Sequence, residues 1–262
     1  MGMEIAGLIL GTIGAVDLVR AARGPSPSSR RASLIGIIAI LLSSAAVGVA
    51  LQGFTVSGVV LALIAPAFAL LWAATMHDDD ARAGFVPVLL VGVAVAVSAV
   101  IIPTRSDTIE LAAGSVPLPL VVLCVGSGLF LVQSSNLIVR TALRREAVDL
   151  PDDPPRGRWL WPFASRPADP PADVAPPRPT LRGGRMIGPL ERLLIAGLVI
   201  AQGYHLIAAL VAAKGIVRFP EISRDRDRGT MAEYFLVGSM VSWALSLAVA
   251  LLIWFGFETY AV

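Results

Sequence analysis

The chain has 262 residues, of which 56% are hydrophobic and only 15% charged, with a formal net charge of +2 and a mean hydropathy of +0.76. Soluble domains carry about a quarter charged residues, and a soluble core of this size could not hide so much apolar surface from water. The composition excludes an ordinary soluble domain and predicts an all-α, polytopic transmembrane helical bundle.

About seven apolar stretches meet the length a crossing requires, since a helix rising about 1.5 Å per residue needs roughly 20 residues for about 30 Å of hydrocarbon. They fall near residues 3–19, 32–51, 56–76, 85–102, 118–139, 187–213 and 231–257. Barrel strands would be about ten residues long and alternate polar with apolar. Continuous runs such as residues 88–102 do not.

The first stretch is the shortest. No basic residue precedes it, and Arg20, Arg23, Arg30 and Arg31 follow it. That order is opposite to a secretory signal's and predicts a retained anchor. Gly7, Gly11 and Gly14 form a small face on this helix, suited to close packing. Asp17 stands one turn before Arg20, an i,i+3 ion pair expected at the headgroup boundary.

After the third stretch, His77, Asp78, Asp79 and Asp80 read as a solvated turn in preference to a weak divalent-cation site. Cys124, the only cysteine, lies inside the fifth stretch without a partner and reads as a packing residue. No metal site or cofactor is expected. Gln133, Ser134, Ser135 and Asn136 form a polar collar before Arg140, either lining a cavity or marking where the helix leaves lipid.

Between residues 149 and 182 ten prolines interrupt any helix or strand, so a disordered cytoplasmic linker should divide a five-span region (residues 1–148) from a two-span hairpin (residues 183–262). Trp159, Trp161 and Phe163, set among Arg156, Arg158 and Arg166, suit anchoring in the headgroup layer. Arginines after the first, third and fifth stretches share one side of a seven-span arrangement. Because cytoplasmic loops are enriched in Lys and Arg, that side is the cytoplasm, with the N-terminus outside and the C-terminus inside. Lys214, Arg218, Arg224, Arg226 and Arg228 then lie on the wrong side, a conflict that a re-entrant sixth segment or a miscounted first span would remove.

On the sixth stretch Glu191, Gln202 and His205 fall near one face with small residues, a stripe that should turn away from lipid. Gln202 and His205, with Gln133 and Asn136, are candidates for interhelical hydrogen bonds or for a polar path. The former is favoured, because Glu191 stands about 16 Å along the axis from Gln202. Gly238, Ser242 and Ser246 give the seventh stretch a small face for packing on the sixth.

Gly188, Glu191, Arg192 and Leu193, then Gln202, then Ala212, Ala213, Lys214, Arg218 and Phe219, then Glu233, Tyr234 and Gly238, form a pattern over residues 183–246. It resembles the C-terminal membrane hairpin of a family of uncharacterised multi-pass bacterial membrane proteins. The resemblance implies a bacterial membrane protein and carries no activity. In it Glu191, Arg192, Lys214, Arg218 and Glu233 are the charges at the hairpin's borders. Pro189 and His205 depart from the pattern.

No phosphate-cradling loop, H-E-x-x-H or G-x-S-x-G is present, so nothing points to the common hydrolase or NTPase mechanisms. Nucleic acid is not an expected partner, because orientation in a membrane explains most of the arginines. The sequence is read as an integral protein of the bacterial cytoplasmic membrane, partnered by the lipid bilayer. Its expected role is non-enzymatic: an accessory or scaffold packing with other membrane proteins or with itself. The alternative is a small transporter or channel with its path near Gln202 and His205.

Overall fold

The computed structural model describes residues 2–24, 26–76, 84–101, 108–111, 114–145, 184–224 and 230–260. The acidic turn at His77, the proline-rich linker and the anchors Trp159, Trp161 and Phe163 lie outside the described residues.

Helix α1 (Met3–Ala21) is the helix against which residues 27–52, 64–75, 86–101 and 118–134 pack, and most of its residues are buried. Helix α2 (Pro27–Gln52) begins where the Ser26 hydroxyl accepts the Ser29 N–H with Pro27 in the first turn, and ends at Gly53, whose φ of 87° suits only glycine. Thr55 caps α3 (Val56–Ala62) by accepting the Gly58 N–H. A break at Leu63 separates α3 from α4 (Ile64–Thr75). Pro66 causes it, having no N–H to give the Ala62 carbonyl.

Helix α5 (Val86–Ile101) precedes a small antiparallel pair, β1 (Thr108–Leu111) and β2 (Gly114–Pro117), in which Thr108 faces Pro117 and Leu111 faces Gly114. The described residues are otherwise helical or in short connections, so the all-α class fits. Helix α6 (Leu118–Leu129) then continues through a π-helical turn, Phe130–Ser134, into α7 (Ser135–Arg145). Helices α8 (Gly184–Ile200), α9 (Tyr204–Arg224) and α10 (Thr230–Tyr260) complete the described chain.

Among the described residues four helical segments are long and apolar enough to cross a membrane: Pro27–Gln52, Val56–Thr75, Leu118–Leu143 and Phe235–Tyr260. Helix α5, with 16 residues, and the stretch Tyr204–Val217 are apolar but shorter. Helix α1 has 19 residues and carries Glu4, Asp17 and Arg20 among its apolar ones.

The stretch at residues 187–213 is not the continuous helix expected. It breaks at Ala201, Gln202 and Gly203, with Gln202 at a φ of 57°, and the chain reverses so that Lys214 of α9 returns to Glu191 of α8. Periodicity could not reveal this, because both halves are apolar and no proline marks the bend.

Helix α8 runs opposite to α6 and α7, with Gly188 beside Asn136 and Arg192 beside Leu131. Helix α10 runs the same way, with Gly238 beside Leu143 and Gly256 beside Leu120 and Met3. The end of α10 therefore shares one end of the bundle with the start of α1.

One apolar core runs through the bundle, joining Ile9, Ile13, Trp72, Leu123 and Leu131 to Ala196 and Ala250. The helices of residues 184–260 thus bury their faces against the preceding ones.

Candidate functional site

The site is assembled by an unusually close helix contact. A Cβ on Gly7 would stand 2.6 Å from Leu123 Cα, one on Gly14 2.5 Å from the Leu129 carbonyl carbon, and one on Gly126 2.0 Å from the Gly7 oxygen. Only glycine lets the two backbones approach so far. This approach carries the last turn of α1 up to the π-helical turn.

There Asp17 is buried, at 1% exposure. Its Oδ1 accepts Arg20 Nη1 at 3.1 Å, and its Oδ2 accepts both Trp72 Nε1 at 2.8 Å and Ser134 Oγ at 2.7 Å. Arg20 Nη2 also donates to the Met76 carbonyl at 2.9 Å. The expected Asp17–Arg20 pair is present, and Asp17 ties three helical elements together: α1, α4 and the π-helical turn. Such a carboxylate is tolerable at low dielectric because three donors surround it.

On the other side of the same π-helical turn lies Arg192, 2% exposed. Its Nε donates to the Leu131 carbonyl at 3.0 Å, and its Nη2 donates to Asn136 Oδ1. A π-helical turn loosens the ordinary i→i−4 bonding and leaves carbonyls available. Arg192 caps one of them, and Ser135 Oγ donates to another, at Phe130, at 3.0 Å. The turn is a junction with an anion on one flank and a cation on the other.

Glu191, adjacent to Arg192, accepts Lys214 Nζ at 2.7 Å on Oε1 and 2.6 Å on Oε2, and Trp243 Nε1 at 2.8 Å on Oε1. The Lys214 ammonium lies 5.5 Å from the Trp243 ring centroid and 5.8 Å from that of Phe235, within cation–π range. These contacts tie α9 to α8 and α10. Two smaller bridges hold the bundle elsewhere: Gln52 Nε2 donates to Glu4 Oε1, and Thr12 Oγ1 meets Ser44 Oγ at 2.6 Å.

The border charges are therefore distributed unequally. Glu191 and Lys214 are brought together, and Arg192 reaches Asn136 of the polar collar. Glu233 is exposed on α10, and the side chain of Arg218, within α9, lies outside the described residues. Gln133 is half-buried. Gln202 and His205 are exposed at the α8–α9 turn, away from the collar, so the four polar residues do not converge.

Trp72 and Trp243 were missed, although a signal existed. An indole N–H inside an apolar helix needs an acceptor, and the buried acids Asp17 and Glu191 supply one each. No cluster of three His, Cys, Asp or Glu suited to a metal occurs among the described residues. Cys124 is half-buried, as a packing residue should be. Comparison with known proteins gives no matching family model, no matching curated protein and no matching solved structure.

Proposed function

We propose that this chain is a multi-pass protein of the bacterial cytoplasmic membrane, acting as a non-enzymatic accessory or scaffold that packs with partner membrane proteins or with itself. The several long apolar helices are compatible with an integral membrane protein. In this reading the helices α1, α2, α3–α4, α5, α6–α7 and α10 cross the bilayer. The α8–α9 hairpin enters from the arginine-bearing side and returns to it. The ends of α1 and α10 that lie together face outside, and Lys214, returned beside Glu191, lies toward the cytoplasm, the side that basic residues favour.

The observation that carries a structural role is that the charges at depth are engaged with one another. Asp17, Arg192 and Glu191 each meet donors or acceptors from other helices. A solute path needs polar groups facing a common aqueous space, whereas Gln202 and His205 stand on an outer turn. Apolar side chains instead cover the outer faces of α2 and α9, such as Ile35, Leu42, Ile216 and Val217.

The test is extraction in mild detergent followed by mass measurement of the intact particle. Oligomers, or stoichiometric co-purifying membrane proteins, are expected. A strictly monomeric particle without partners overturns the scaffold reading, and release from membranes by alkaline carbonate overturns the integral one.

A further inference from the structure

The bundle has a slot that its own side chains leave unfilled. Helices α5 and α10 both lean on the central part of the bundle without closing on each other, and between them lies a cavity of about 240 Å³. Leu10, Trp72 and Phe130 make its floor. One wall runs along α5 from Val88 to Val95 and the other along α10 from Leu245 to Leu252. Seven residues of helix give a length of about 10 Å.

The lips are small residues, Gly92 on α5 and Ala248 on α10. A Cβ on Gly92 would meet nothing within 4 Å. Beside these lips Leu89, Val93 and Leu251 are exposed at 66%, 60% and 55%. On the membrane reading proposed above, on which this inference rests, the mouth opens into hydrocarbon.

Size selects among occupants. A helix about 10 Å across would displace roughly 800 Å³ over this length, more than three times the space present. A slender chain about 24 Å² in mean cross-section, from 240 Å³ over about 10 Å, fills it. Water has no polar partner along walls of Val and Leu, and such cavities stay dry.

Charge gives the direction. Trp72 forms part of the floor and also donates its indole N–H to Asp17, which pairs with Arg20. Exposed Arg23 follows just beyond α1. The end of the slot nearest Val88 thus points to the basic end of the bundle, where a phosphate is favoured.

We infer that the α5–α10 slot is a binding site for one acyl chain of a bilayer phospholipid, whose phosphate lies toward Arg20 and Arg23. The gain over bulk lipid is dispersion contact, because an unfilled slot leaves its lining atoms without partners on one side. The lipid completes the packing that α5 and α10 leave open.

The full chain is reconstituted in nanodiscs containing a phospholipid with a diazirine at mid-acyl chain, irradiated, and mapped by peptide mass spectrometry. Labelling of α5 and α10 at the slot is expected to exceed that of the lipid-facing side of α2, around Ile35 and Leu42, by about fivefold. Gly92→Leu and Ala248→Phe, on opposite lips, should each abolish this excess while leaving α2 labelling and the thermal transition unchanged.

A slot-to-α2 ratio near one in the wild type overturns the inference, whether or not the variants fold. So does an excess that survives both substitutions in folded protein. A slot shielded from label but cross-linked to protein overturns it in favour of a protein occupant. If α2 is unlabelled as well, the chain is not in the bilayer and the membrane reading fails with it. Label on α2 without slot excess leaves that reading standing.

Discussion

Single residues decide how closely the two central helices meet. Gly126 and Gly7 face each other at backbone contact, so a methyl group at either must push helices apart, not rotate away. Gly126→Ala should destabilise the protein by about 3 kcal/mol or more. Gly128→Ala, where a Cβ meets nothing within 4 Å, should be near neutral or slightly stabilising because the helix gains propensity. Reversible unfolding in mixed detergent micelles measures both, and equal effects at the two positions would refute the close approach.

Asp17 decides what α1 holds. Asp17→Leu strips acceptors from Trp72 Nε1 and Ser134 Oγ together and leaves Arg20 without its carboxylate. The expected loss is about 3 kcal/mol. Asp17→Asn keeps an acceptor and should lose roughly half as much. A fluorescence shift of the buried Trp72 on Asp17→Leu reports whether the indole has lost its bond.

At the scale of elements, α8 is packed into the bundle, whereas much of α9 is exposed. Glu191–Lys214 with the two rings ties α9 to α8 and α10. Lys214→Met leaves Glu191 buried and should destabilise by about 2 kcal/mol, less than a fully buried pair because Lys214 is 24% exposed. Combining it with Glu191→Gln should cost less than the two single changes added, with a coupling of about 1–2 kcal/mol. A double-mutant cycle on unfolding checks this, and strict additivity would show that the pair does not bind the hairpin. Hydrogen exchange should rise throughout α9 in Lys214→Met while α1 and α6 keep their protection.

Arg192 acts between elements. It binds a carbonyl exposed by the π-helical turn, so Arg192→Met removes a charge but leaves the Leu131 oxygen unanswered. Loosening should appear where α8 meets α6 and α7. The turn itself was not legible in the sequence, because Phe130, Leu131 and Val132 read as uninterrupted helix; only the neighbouring Gln133–Asn136 collar signalled something unusual.

For the whole molecule, sidedness is the sharpest expectation. A single-cysteine variant at Phe54, which is 93% exposed, made in a Cys124→Ala background, should react with an impermeant maleimide from outside intact cells. One at Ser28 should react only after the cells are opened. A cysteine near Tyr260 should behave like the one at position 54, since the end of α10 lies with Met3. Labelling of the Tyr260 position from the cytoplasm alone would restore an odd number of crossings and reject the returning hairpin.

What the sequence determined by itself was the apolar helical material: stretches of crossing length, the small face at Gly7, Gly11 and Gly14, and the pairing of Asp17 with Arg20. These follow from composition and from neighbours three to seven residues apart, distances over which a helix fixes geometry in advance. Tertiary structure alone decided the reversal at Gln202, the meeting of Glu191 with Lys214, and the junction of Asp17, Ser134 and Arg192 around one π-helical turn. Each joins groups tens of residues apart, and an apolar run carries no mark of which distant polar atom its backbone will meet. The partner is chosen only when the helices pack and every buried charge must find its counterpart.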